Sequence, residues 1–97
     1  MRYFALVYHV GDDYLARRGQ FRAEHLELLW AAHRRGELIL AGAVMAPTDM
    51  ALFAWRCADR APIEAFVGAD PYVRNGLVLR WEIRDWNVVV ADQPMPV

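Results

Sequence analysis

Apolar and polar positions along this chain predict four main strands and two main helices. The opening stretch RYFALVYHV is dense in aromatic and β-branched residues and stops at GDD, which predicts a strand. A helical turn through DDYLARRG is expected next, broken at Gly19. From Arg22 to Arg35 the spacing is helical: Leu26, Leu29, Trp30 and His33 recur on one side, and Gly36 stands in C-cap position. ELILAGAVM and MALFAWRCA read as two strands joined by APTD, a connection short enough for a hairpin. DRAPIEAFVGAD predicts a second, shorter helix, with Asp59 near its start, Pro62 in the first turn and Ile63, Phe66 and Val67 as its apolar residues. Finally, LVLRWEIRDWNVVV alternates through Leu77, Leu79, Trp81 and Ile83, then changes phase to Trp86, Val88 and Val90. The change of phase at Arg84 and Asp85 predicts a bulge or a break, followed by an extra C-terminal strand.

The order β-α-β-β-α-β is that of a ferredoxin-like α+β fold, an antiparallel sheet with both helices on one face. The second face of such a sheet should be wet. Here, however, Tyr3, Ala5 and Val7 are as apolar as Phe4, Leu6 and Tyr8, and the next two strands are no more polar. An apolar second face asks for a further layer, and the cheapest cover is a second copy of the chain. The expectation is a homodimer with its two sheets face to face, a barrel-like assembly.

Bulk properties narrow the choice of chemistry. The 97 residues, 57% hydrophobic, suit a single domain over 1–97. No apolar run reaches the roughly 18 residues that span a bilayer, and the start lacks a long apolar region with a cleavage site, so no membrane association and a cytoplasmic location are expected. A net charge of -1 without a basic cluster argues against nucleic acid. All eleven basic residues are arginine, which rules out a lysine Schiff base. Cys57 has no partner for an internal disulfide and matches no paired metal spacing, so a buried thiol is expected. His25 and His33 are eight apart rather than four, P-loop and dinucleotide motifs are absent, and neither metal nor cofactor is called for.

Topology gathers the unusual residues. With the first strand running up, one edge collects His9, Arg22 and His25 at the start of the long helix, the hairpin loop, and Asp70 after the second helix. In VGADPYVRNG a carboxylate precedes a proline, which forces an extended backbone there. That makes Asp70 either a stop signal or a mount. Arg22 falls near the centre of the stripe formed by Leu26, Leu29, Trp30 and His33, where it is costly unless an anion meets it, and His25 lies at the margin. If Asp70 reaches His25, it orients the ring and favours the imidazolium, the logic of an acid-base dyad.

The stretches YFALVYHV, RAEHLELL, GELILAGAV and ADPYVRNGLV before WEIRDWNVVV resemble the YciI-like (YCII-related) family over nearly the whole chain. The resemblance implies a dimeric α+β barrel of ferredoxin-like protomers and an active site built on a histidine-aspartate pair, which falls on His25 and Asp70. One characterised branch resembles a dehydrochlorinase acting on a chlorinated hydroxyhydroquinone, and related dimeric barrels include muconolactone isomerases and small monooxygenases. The hairpin loop APTDMAL is shorter and less polar than in many relatives, so no substrate is carried over. The expected function is a cofactor-independent lyase or isomerase acting on an anionic or phenolic small molecule. In it His25 moves a proton, Asp70 tunes His25, Arg22 binds an oxyanion or carboxylate, and Tyr72 and His9 line the pocket. The alternatives are a non-catalytic ligand-binding or regulatory module with the same pocket, and an oxidation enzyme of the same barrel type.

Overall fold

The structure is a computed structural model, and it describes residues 1–95. Four strands, β1 (Arg2–Val10), β2 (Leu38–Val44), β3 (Met50–Cys57) and β4 (Val78–Trp86), form one antiparallel sheet in the order β2-β3-β1-β4. Between them lie α1 (Tyr14–Arg17), a 3₁₀ turn (Arg18–Gln20), α2 (Arg22–Arg34), α3 (Ala61–Ala69) and α4 (Pro71–Arg74). The helices pack on one face of the sheet, as a ferredoxin-like topology requires. Inward-pointing Phe4, Leu6 and Tyr8 on β1 meet Trp55, Phe53 and Ala51 on β3, and Ala32, Ile63, Phe66 and Leu77 close the core from above. No helix among the described residues is long and apolar enough to cross a membrane.

Helix ends follow the local signals. Gly36 takes φ +80° after α2, and the backbone N–H groups of Gly36 and Glu37 donate to the carbonyls of His33 and Ala32. Gly76 does the same after α4 at φ +77°, with N–H groups of Gly76 and Leu77 donating to Val73 and Tyr72. This paired pattern needs a left-handed residue, which only glycine adopts without strain. At the start of α3 the Asp59 carboxylate accepts from the Ala61 N–H at 2.9 Å, and Pro62 occupies the first turn. Cys57 is buried, and burial, reinforced by the nearby acids Glu37 and Asp59, pushes its thiol up.

Three expectations are corrected. First, β4 runs without a break through Arg84 and Asp85, which pair with Ala5 and Phe4; the irregularity lies at the other end, between His9 and Val10. Asp85 can keep the core-side phase because it sits at the exposed end of the strand, 3.1 Å from Arg2 and 3.7 Å from Arg60. Second, among the described residues there is no strand after Trp86. The tail instead turns on itself, Met95 N–H donating to the Val88 carbonyl, and accepts the Tyr3 hydroxyl at the Gln93 carbonyl. Third, α2 is rotated by about one residue from its predicted orientation. Its inward residues are His25, Leu28, Leu29 and Ala32, whereas Trp30 and His33 are exposed.

The opposite face of the sheet carries Ala5 and Val7 of β1, Leu52 and Ala54 of β3, Leu40 of β2 and Trp86 of β4 around a shallow hollow. Arg84 stands at its edge. Leu40 and Leu52 are 65% and 42% exposed, so this apolar face is uncovered in the single chain.

Candidate functional site

Asp70 is the end of α3 and the N-cap of α4 at once. Pro71 holds it at φ -69°, ψ 120°, extended where both neighbours are helical, so the chain turns there and the side chain swings inward. Its carboxylate has no exposed surface and meets three donors. The Tyr8 hydroxyl donates to Oδ2 at 2.7 Å, His25 Nδ1 lies 2.8 Å from Oδ1, and the Tyr72 backbone N–H donates to Oδ1 at 3.0 Å. An unpaired buried carboxylate would be prohibitive; three hydrogen bonds offset its desolvation.

His25, one turn into α2, is 7% exposed and thus buried rather than marginal. Its ring stacks on Tyr72, with centroids 3.8 Å apart and planes 10° from parallel, and Phe66 closes another side. Facing an acceptor carboxylate, Nδ1 carries the hydrogen, which leaves Nε2 as the ring nitrogen open to a ligand. Burial, with the Asp70 charge and hydrogen bond acting in the same direction, pushes the Tyr8 phenol far above its ordinary range, so Tyr8 stays a donor to Asp70. At the surface Arg74 reaches Glu24 at 2.6 Å and ties α4 to α2.

His25 opens onto a cavity of about 160 Å³ between α2 and the β2-β3 hairpin. Tyr14, Arg18 and Arg22 line one side, and Ala41, Ala43, Ala51 and Phe53 the other. The small side chains of the hairpin make the room. Both charged groups lining the cavity are cations, the guanidiniums of Arg18 and Arg22. The buried Tyr72 hydroxyl has no hydrogen-bond partner. Burial and the neighbouring Tyr14 push its phenol up, against the pull of Arg22 and Arg18.

The five residues singled out from the sequence separate into two groups. His25, Asp70 and Tyr72 are in contact, and Arg22 stands at the cavity wall. Arg22 is not immersed in an apolar stripe, however. It is the exposed first residue of α2, and its long side chain reaches the cavity from there. His9 is on the other face of the sheet, with Nε2 3.5 Å from Glu82 Oε1, because strand alternation opposes it to Tyr8. Tyr8, Tyr14 and Arg18 were not anticipated. A tyrosine in the inward phase of a strand, beside Phe4 and Leu6, is the signal for Tyr8, since a buried phenol needs a partner. Arg18 and Tyr14 had only a short helical turn to mark them. Among the described residues no three histidine, cysteine or carboxylate side chains gather where a metal ion could sit.

Solved structures share this architecture. The 5-chloro-2-hydroxyhydroquinone dehydrochlorinase TftG from Burkholderia phenoliruptrix, in complex with 2,5-dihydroxybenzoquinone, matches with a TM-score of 0.76 at 16% identity, over 89% of this chain and 94% of that one. A protein from Agrobacterium tumefaciens matches with a TM-score of 0.61 at 17% identity, over 97% of both chains. A NIPSNAP family protein from the same organism reaches 0.55 at 14% identity, over 89% of this chain and 90% of that one. At these identities the likeness is one of fold. No curated protein matches the chain. Residues 1–87 match the YCII-related domain, and the chain belongs to that family.

Proposed function

We propose that this protein is a cofactor-independent lyase or isomerase acting on a small anionic or phenolic molecule, with His25 as its general acid-base. The observation that carries the reading is the hydrogen bond that His25 Nδ1–H donates to a buried Asp70, which leaves Nε2 to exchange a proton with a ligand in a cavity lined by two arginines. In this reading Arg22 and Arg18 hold an oxyanion or carboxylate. His25 Nε2 takes a proton from a hydroxyl or an acidic carbon, and Asp70 stabilises the imidazolium. The proton is then returned at another position, completing an isomerisation, or a leaving group departs with the electron pair, completing an elimination. Tyr72 holds the ring plane, and Tyr8 holds the carboxylate. That the dehydrochlorinase of similar fold binds a dihydroxybenzoquinone supports a small hydroxylated ring as the substrate class.

The homodimer belongs to the same proposal. A second copy covers the apolar sheet face that carries Val7, Leu40 and Leu52, leaving the His25 cavity on the helix side of each protomer.

The test is a turnover screen against hydroxylated aromatics and lactones, followed by His25→Ala and Asp70→Asn on the best substrate. Each variant should lower kcat by about a hundredfold or more, with the fold retained in circular dichroism. Unchanged turnover in both variants would sink the dyad, and tight binding without any turnover would favour a non-catalytic binding module.

A further inference from the structure

α2 presents two apolar stripes, and only one of them is used by the core. His25, Leu28, Leu29 and Ala32 turn inward, which leaves Leu26, Trp30 and His33 facing the edge strand β2; Trp30 is 57% exposed. Between this second stripe and β2 lies a cavity of about 300 Å³ walled by Leu26, Leu29 and Trp30 on the helix and by Leu38 and Ile39 on the strand. It shares Leu26, Leu29 and Ala41 with the His25 cavity, so the two adjoin. Its walls carry no charged residue. The one polar side chain, His33, is committed, its Nδ1–H donating to the Leu38 carbonyl at 2.7 Å, and its ring lies edge-on to Trp30 at 5.5 Å.

We infer that the two cavities are one site for an amphipathic small molecule, with a compact anionic head at His25, Arg18 and Arg22 and an unbranched apolar tail along the α2-β2 groove. The inference rests on reading the His25 cavity as an anion site and adds the tail. Charge selects the head, since only cations line that end. Size selects the tail: a helix about 10 Å wide does not fit a slot of this volume, whereas joined cavities in the range of a few hundred Å³ suit a small ligand. From His25 to His33 the groove follows about 12 Å of helix. Exposed Trp30 and Ile39 on facing walls then have a purpose that core packing does not supply.

Calorimetric titration with 4-n-alkylbenzoates, methyl to hexyl, tests this. The Kd should tighten by about twofold to fourfold for each added methylene, as burial of apolar area requires. Trp30→Ala and Ile39→Asn, both at exposed positions, should leave the Kd of the methyl compound unchanged and flatten the dependence on chain length. A Kd independent of chain length, or the same dependence in both variants, overturns the tail and leaves the anion site standing. No binding of the methyl compound at millimolar concentration removes the anion site and this inference with it.

Discussion

A carboxylate without exposed surface persists beside Phe66 because three donors meet it. Tyr8, His25 and the Tyr72 N–H each donate to Asp70, and the three come from β1, α2 and α4. Removing the phenol should therefore be felt. Tyr8→Phe is expected to cost about 1.5 to 3 kcal/mol in urea denaturation, the worth of a hydrogen bond to a charged group, and to lower kcat less than Asp70→Asn does. No loss of stability would mean that water replaces the hydroxyl. The same residue sets an alkaline limit. The Tyr8 phenol is raised, mainly by burial and then by Asp70, and the Tyr72 phenol is raised by burial. In the folded chain they hold their protons after the unfolded chain, at about 10, has released them. Their stabilisation is complete below that pH and drains away above it, at up to about 1.4 kcal/mol per pH unit for each group. Thermal melts between pH 8 and 11 should show Tm falling above about pH 10, with a gentler slope in Tyr8→Phe; equal slopes would rule out Tyr8 as a source.

Asp70 was readable as a constrained position from the chain because its signal is local, the proline that follows it. The phase of α2 was not. Counting apolar residues favours Leu26, Leu29, Trp30 and His33, but the helix buries His25 instead, since the Asp70 carboxylate and the Tyr72 ring together repay the imidazole for leaving water. Propensity and periodicity cannot anticipate a partner 45 residues away. Caps behave differently, being settled within a few residues, and α4 depends on one. Gly76 at φ +77° closes the short helix whose first turn carries Tyr72 and whose N-cap is Asp70. Gly76→Ala, with open space for its Cβ, should cost about 1 kcal/mol from backbone strain alone. Full recovery of wild-type stability in chemical denaturation would show that the turn can relax.

The assembled sheet has one dry face and one apolar face left open, which is the physical basis for the proposed homodimer. Leu52, 42% exposed near the middle of that face, is the position to probe. Leu52→Arg should weaken association by about thirtyfold or more and give monomers at micromolar concentration in analytical ultracentrifugation, where the unaltered chain is expected to sediment as a dimer. A monomeric unaltered chain at that concentration would remove the dimer. The succession of strands and main helices and the Gly36 cap could be read along the chain, because alternation, helical spacing and capping are relations among near neighbours. The end of β4, the inward side of α2, the banishment of His9 to the far face and the meeting of Tyr8 with Asp70 could not. Those outcomes depend on which distant groups satisfy one another once water is excluded, as with a phenol and a carboxylate 62 positions apart, and that sum exists only when the sheet and helices close.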